Sequence, residues 1–341
     1  MVHSSKPIVI ADSNIPFIDT LLGDNVELRR LDPSAIDAEA VKEADAIVTR
    51  TRTRCNAALL DGSRVKLVAT ATIGTDHIDF DYCSSHGIKV ASAPGCNAPA
   101  VAQYVWASIL TLAGDRDPRD ITVGIVGVGH VGSIVEKWGR SMGYDILLCD
   151  PPRSEREGTE AFVSLDEIAA KCDVITFHTP HTKNGPYPTY HLADRRFFDS
   201  LKRQPIIINS ARGPITETQA LIDAINSGRV SHAVIDCWEG EPDIDRTLLS
   251  LASIATPHIA GYSLQGKMRA SIAAARAVAK RFGFPLAGNM VYPGAAPEAV
   301  RGAEVLSSYD PMADTERLRR DPSTFEQQRN RYDLRNEVAT Q

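Results

Sequence analysis

The chain has no excess of positive charge, no paired cysteines and no uninterrupted apolar span. Its 37 Lys and Arg stand against 43 Asp and Glu, a net charge of −6. Nucleic-acid binders usually present a net basic domain, so the balance argues against that class. It leaves room for a local basic pocket that takes an anionic metabolite. The six cysteines, Cys55, Cys83, Cys96, Cys149, Cys172 and Cys237, are scattered without a C-x-x-C pair. They read as reduced thiols of a cytoplasmic protein, neither a disulfide frame nor a zinc site. The opening "MVHSSKPIVIADSN" holds no apolar core of signal-peptide length. Ser92 to Gly114 carries no formal charge, but Pro94, Gly95, Asn97, Pro99 and Gln103 interrupt it. Its second half, "AVAQYVWASILTLAG", fits a buried helix better than a membrane span. There is no internal repeat and no low-complexity tract.

What is present is α/β alternation. A chain of 341 residues with 43% hydrophobic and 23% charged residues suits two soluble domains. "PIVIAD" (7–12), "VELRRL" (26–31), "DAIVTRT" (45–51), "VKLVATAT" (65–72) and "IKVASAP" (88–94) read as strands, and "DAEAVKEA" (37–44) as a helix. After a helix over 98–113 the alternation resumes. "CDVITFHTP" (172–180), "QPIIINSARG" (204–213), "HAVIDCWEGEP" (232–242) and "ASIATPHIAG" (252–261) are apolar runs ending in polar or glycine residues. "ETQALIDAINSG" (217–228) is a helix with a glycine stop. The expected fold is two doubly wound parallel-sheet domains. "KMRASIAAARAVAKRFG" (267–283) is a helix able to return to the first domain. The expected boundaries are 1–91 with 266–285, then 92–265, then a C-terminal segment 286–341 that packs on a partner subunit. In that segment "STFEQQRNRYDLRNEV" (323–338) predicts a helix opened by a Ser323–Glu326 capping box.

"DITVGIVGVGHVGSIVEKWGRSMGYDILLCD" (120–150) is strand, glycine turn, helix, strand. Gly127, Gly129 and Gly132 form G-x-G-x-x-G, and Asp150 ends the next strand, the context of a dinucleotide fingerprint. Gly127 permits the turn, Gly129 lets the backbone approach a pyrophosphate, and Gly132 allows helix to pack on strand. The helix N-terminus offers free N–H groups to phosphates. Asp150 would accept hydrogen bonds from ribose hydroxyls and repel a 2′-phosphate, favouring NAD; nearby Arg153 weakens that preference slightly.

Three later strand ends carry Arg212, then Glu239 and Glu241, then His258. A guanidinium grips a carboxylate bidentately. A histidine exchanges a proton near neutrality, and a carboxylate beside it orients the ring. The set suits hydride abstraction from a 2-hydroxy acid without a metal. His77, His178, His181 and His191 show no metal spacing with a third ligand. In "TRTRTRC" (49–55), Arg50, Arg52 and Arg54 would share one face if the segment is extended, a source of donors for a phosphorylated substrate, with Arg50 beside Thr51 the foremost.

With these stretches, and with "TATIGTDHID" (70–79), "APGCNAPAVAQYV" (93–105), "TFHTPHTKNGPYPTYHLAD" (176–194) and "HIAGYSLQGK" (258–267), the chain resembles the D-2-hydroxyacid dehydrogenase superfamily. It is most similar to the branch that oxidises 4-phosphoerythronate in bacterial vitamin B6 synthesis. "YDPMADTERLRRDP…FEQQRNRYDLR" resembles that branch's terminal helices. The resemblance implies two Rossmann-like domains with a site between them, and a short C-terminal dimerisation segment making a homodimer. It implies Arg212, Glu241 and His258 as catalytic residues. It implies NAD held by Gly127, Gly129, His130, Val131, Gly132, Asp150, Thr179, Ser210, Ala211, Arg212, Asp236 and Gly261. Thr51, Thr72 and Tyr262 would touch substrate, as would Arg50; Thr51 stands where the branch can have Ser and keeps the hydroxyl. The alternatives are a dehydrogenase of 3-phosphoglycerate or glycerate, with the same mechanism and a different pocket, and an NAD-sensing binding protein that does not turn over.

Overall fold

The computed structural model describes residues 6–158, 160–288 and 291–338. The first five residues of the opening stretch and the last three of the C-terminal segment therefore lie outside it. The chain divides into two compact units, Met1–Asn97 with Leu264–Gly294, and Ala98–Ser263 with Ala295–Gln341.

The first unit is built on five parallel strands, β1 (Ile8–Asp12), β2 (Glu27–Leu31), β3 (Ala46–Thr49), β4 (Leu67–Thr70) and β5 (Lys89–Ala91), in the order β2-β1-β3-β4-β5. The central strands are apolar on both faces, as a sheet covered on both sides requires. Helix Leu264–Phe282 lays Ala270, Ala274, Ala275 and Val278 against one of these faces, with Ile18, Leu21 and Leu22.

The second unit has six parallel strands: β6 (Thr122–Val126), β7 (Asp145–Cys149), β8 (Val174–Phe177), β9 (Ile206–Asn209), β10 (His232–Ile235) and β11 (Ile254–Ala255). Their order is β11-β10-β9-β8-β6-β7. The order reverses between β6 and β8, and ligands of open α/β sheets bind beyond the strand ends at such a switch point. Helix Ala98–Ala113 fills one side with Tyr104, Val105, Trp106 and Ile109. Gly139 exists for that helix, since a Cβ there would lie 2.5 Å from Trp106.

Three expectations are corrected. "DAEAVKEA" yields only the four-residue helix Ala38–Val41. The predicted helix over 323–338 shrinks to Phe325–Asn330, and no capping box forms at Ser323. The Ser323 hydroxyl donates to Asp321 instead, and beyond Arg331 the chain leaves helical geometry to pair Arg335 with Ser263. The segment after residue 294 also does more than offer a surface. Val300, Val305, Tyr309, Leu318 and Phe325 are buried in the core of the second unit. All six cysteines are buried and none is in a disulfide, and burial pushes the Cys55 and Cys172 thiols up to about 12. Among the described residues no helix is long and apolar enough to cross a membrane.

Candidate active site

The glycine turn follows β6 at the switch point. Gly127 has φ +90°, and a Cβ there would meet the His178–Thr179 backbone at 2.8 Å. A Cβ on Gly132 would lie 2.2 Å from the Gly127 carbonyl oxygen, whereas one on Gly129 would meet nothing within 4 Å. The first and third glycines are thus required by the protein's own packing. The second leaves open backbone at the start of helix His130–Ser141, where N–H groups stand free for an anion. Asp150 accepts from Val128 N at 2.8 Å and caps the next helix through Arg153 N at 3.0 Å. Arg153 is tied to the Val128 carbonyl at 2.7 Å and to Glu157, so its charge is largely matched inside the protein.

The residues present fit a dinucleotide. The buried hydroxyls Thr179 Oγ1, after β8, and Ser210 Oγ, after β9, have no partner among the described residues. Buried polar groups demand hydrogen bonds, and the polar groups of NAD would supply them.

His258 sits in a left-handed conformation, φ +57°, in the turn after β11. Asp236 fixes that turn. Its carboxylate accepts from Thr256 Oγ1 (2.7 Å), Ile259 N (2.7 Å) and Ala260 N (3.0 Å) and is only 1% exposed. Burial raises the Asp236 pKa against these bonds and the His258 charge. The Trp238 indole donates to the Thr256 carbonyl at 2.9 Å, joining the β10 and β11 loops. On this frame Glu241 places Oε2 2.9 Å from His258 Nδ1, while Oε1 accepts from Trp238 N at 2.8 Å. Burial works to raise the Glu241 pKa, but the His258 charge and hydrogen bond, the Trp238 N–H and Arg329 together hold it below the usual range.

Glu239, the other candidate on this loop, is drawn away. It binds His191 Nε2 at 2.7 Å and Thr218 N and Oγ1 at 2.9 and 2.7 Å. Arg212 approaches through its loop: a Cβ on Gly213 would lie 2.0 Å from the Trp238 carbonyl oxygen, so the two loops pack backbone to backbone. Asn209 Nδ2 holds the Arg212 carbonyl at 2.9 Å. Burial drives the Cys237 thiol well above its ordinary pKa, although the charges of Arg212 and Arg329 pull it down. Ligand atoms of Cys237, Glu241 and His258 lie within 4.8 Å of one another. With the thiol's pKa raised and the carboxylate engaged by His258 and Trp238, the cluster is a poor metal cradle, and its hydrogen-bonded carboxylate–imidazole pair suits proton exchange.

The other expected substrate residues, apart from Tyr262, belong to the first unit. Thr72 Oγ1 lies 2.7 Å from Thr70 Oγ1 and donates to the Gly74 carbonyl at 3.0 Å. Residues 51–53 turn instead of extending, which corrects the shared face expected of Arg50, Arg52 and Arg54. Arg50 folds in to pair Nε with buried Asp12 at 2.8 Å, while Arg52 and Arg54 are exposed.

Two residues near the site escaped the sequence reading. Arg335 donates to the carbonyls of Ala100 (3.1 Å), Ile259 (3.1 Å), Ala260 and Tyr262 (3.1 Å) and lies over Tyr309. It thereby pins the backbone that follows His258. Arg329 lies within 4.0 Å of Glu241. No local signal separates these arginines from the other basic residues of a charged tail.

The profile of the D-isomer-specific 2-hydroxyacid dehydrogenase NAD-binding domain matches residues 101–260. An erythronate-4-phosphate dehydrogenase of Bacteroides thetaiotaomicron is 45% identical over 336 residues, 96% of this chain and 97% of that protein. Another from Porphyromonas gingivalis is 40% identical, over 95% of this chain and 92% of that protein. Among solved structures, a D-lactate dehydrogenase of Aquifex aeolicus complexed with NAD and lactic acid is 28% identical with a TM-score of 0.70. The match covers 81% of this chain and 96% of that one.

Proposed function

The chain belongs to the erythronate-4-phosphate dehydrogenases, within the NAD-dependent D-isomer-specific 2-hydroxyacid dehydrogenases, and from that premise we propose that it oxidises 4-phospho-D-erythronate to 2-oxo-3-hydroxy-4-phosphobutanoate in pyridoxal 5′-phosphate synthesis. The observation that carries the mechanism is the Glu241–His258 pair at 2.9 Å, set on loops that pack against the Arg212 loop.

With Glu241 ionised, His258 Nδ1–H donates to it and Nε2 keeps its lone pair. Nε2 takes the substrate's C2 hydroxyl proton in oxidation and returns it in reduction. Arg212 grips the substrate carboxylate and fixes C2. NAD, when bound, would supply the hydride acceptor; the alcohol loses a hydride, which carries both electrons, from C2, and a proton from its hydroxyl to His258. Gly127, Gly129, His130, Val131 and Gly132 would hold the pyrophosphate, Asp150 the adenosine ribose, and Thr179, Ser210, Ala211, Arg212 and Gly261 the remainder. Asp236 acts through the turn it holds. Thr51, Thr72 and Tyr262 contact the substrate, and Arg50, oriented by Asp12, is the foremost phosphate donor. The protein works in the cytoplasm as a homodimer.

The test offers purified protein 4-phosphoerythronate, 3-phosphoglycerate and glycerate. NADH is followed, and product formation is followed in parallel with an added 2-oxo acid, because NADH retained on the protein would hide turnover. Preference for 4-phosphoerythronate is expected. Turnover of another hydroxy acid alone keeps the mechanism and removes the substrate.

A further inference from the structure

Arg329 lies on the short helix Phe325–Asn330 of the C-terminal segment, yet its side chain is only 18% exposed. Its Nη1 lies 3.0 Å from Glu326 Oε1 and 4.0 Å from Glu241 Oε2, and its buried Nε has no partner among the described residues. A buried guanidinium is costly unless nearby negative charge compensates it. Here two carboxylates compensate it: Glu326 at 3.0 Å and, at 4.0 Å, Glu241, which also meets His258. We propose that Arg329 is a positioning residue for the Glu241–His258 dyad: its charge keeps Glu241 ionised and directed at His258 Nδ1. The C-terminal segment is thereby a working part of the site on its own chain.

The surroundings support this assignment. The groups around the pair and Arg329 are Cys237 from the β10 loop, Arg212 from the β9 loop, Tyr262 and Asp236, and Glu326 on the helix of Arg329 itself. Burial disfavours the charge on Arg329, but Tyr262, Glu241, Asp236 and Cys237 outweigh it and push its pKa up. Arg329 is thus a fixed cation through the working pH range. Without it, Glu241 would keep the burial that raises its pKa and lose one of the charges that lower it. A neutral Glu241 leaves Nδ1 without an anionic acceptor, and the ring loses both tautomer and orientation.

The assignment rests on the dehydrogenase reading with His258 as base. The experiment is the pH profile of kcat/KM for 4-phosphoerythronate oxidation in wild type, Arg329→Gln, Arg329→Lys and His258→Ala. The acid limb reports protonation of the dyad, which titrates as a coupled pair. Removing a nearby positive charge makes the pair hold its proton more tightly, so the limb of Arg329→Gln should move up by about one pH unit. Arg329→Lys should keep the limb in place. If the Gln variant fails to fold, Arg329→citrulline, introduced by ligating a synthetic C-terminal peptide, keeps the shape without the charge and gives the same readout. An unmoved limb with equal loss at every pH makes Arg329 purely structural and overturns the proposal. So does a rise in KM alone, which makes it an anion-binding residue. Wild type silent on every hydroxy acid, or His258→Ala as active as wild type, removes the dehydrogenase reading itself; a normal wild type with an unmoved limb removes only this assignment.

Discussion

The geometry of His258 is set by its surroundings more than by its residue type. Its ring is held at Nδ1 by Glu241, and its backbone is held in the left-handed region, at φ +57°, by Asp236. A non-glycine residue is strained there and persists only where neighbours over-determine it. The Asp236 carboxylate, with two backbone N–H donors and one hydroxyl, is that constraint. His258→Ala removes the proposed proton acceptor and leaves the glycine turn untouched. Turnover should fall by roughly 10²- to 10⁴-fold, the usual weight of general acid–base catalysis. NADH affinity, read by fluorescence titration, should stay within about threefold, since less than 0.7 kcal/mol then separates the two proteins.

At the scale of elements, the strand–turn–helix after β6 separates packing from binding. Gly132 is required by the fold, because its Cβ would overlap the Gly127 carbonyl at 2.2 Å, while Gly129 faces open space. Gly132→Ala should cost about 1–3 kcal/mol by overpacking, lowering the melting temperature by roughly 5 °C. Gly129→Ala should melt within about 2 °C of wild type yet bind NADH at least tenfold more weakly, a loss of about 1.4 kcal/mol, because the methyl stands where backbone meets pyrophosphate. Equal affinity in Gly129→Ala and wild type would take the pyrophosphate away from this turn. The loops after β9, β10 and β11 behave as one element, cemented by Gly213 against Trp238 and by the Trp238 indole on Thr256.

For the whole molecule, the chain leaves the first unit at Asn97, builds the second, and returns at Leu264. Its last stretch then joins the second unit, where Phe325 and Leu318 fill the core and Arg335 clamps the carbonyls after His258. Such a segment can serve its own chain and still present an outer face. Exposed Leu306 lies on its helix Gly302–Ser308. Light scattering after size exclusion should give twice the chain mass at micromolar concentration. A monomer there would remove the homodimer and leave the chemistry of the single chain intact.

Much of this was legible along the chain because its signals are local. The glycine spacing, the acidic end of β7 and the strands with small polar ends follow from backbone geometry and period, which neighbouring residues dictate. That Arg212, the Glu239–Glu241 loop and His258 stand at strand ends was readable too, because parallel strands bring their C-terminal ends to one edge. The family resemblance implied Glu241; the tertiary structure adds which histidine each glutamate of that loop meets, Glu239 with His191 and Glu241 with His258. It likewise turned residues 51–53 and folded Arg50 onto Asp12, 38 positions away. It alone recruited Arg329 and Arg335. A guanidinium in a charged tail carries no mark of its partner, because the Coulomb and hydrogen-bond terms that give it a role depend on distance in space, which local sequence does not encode.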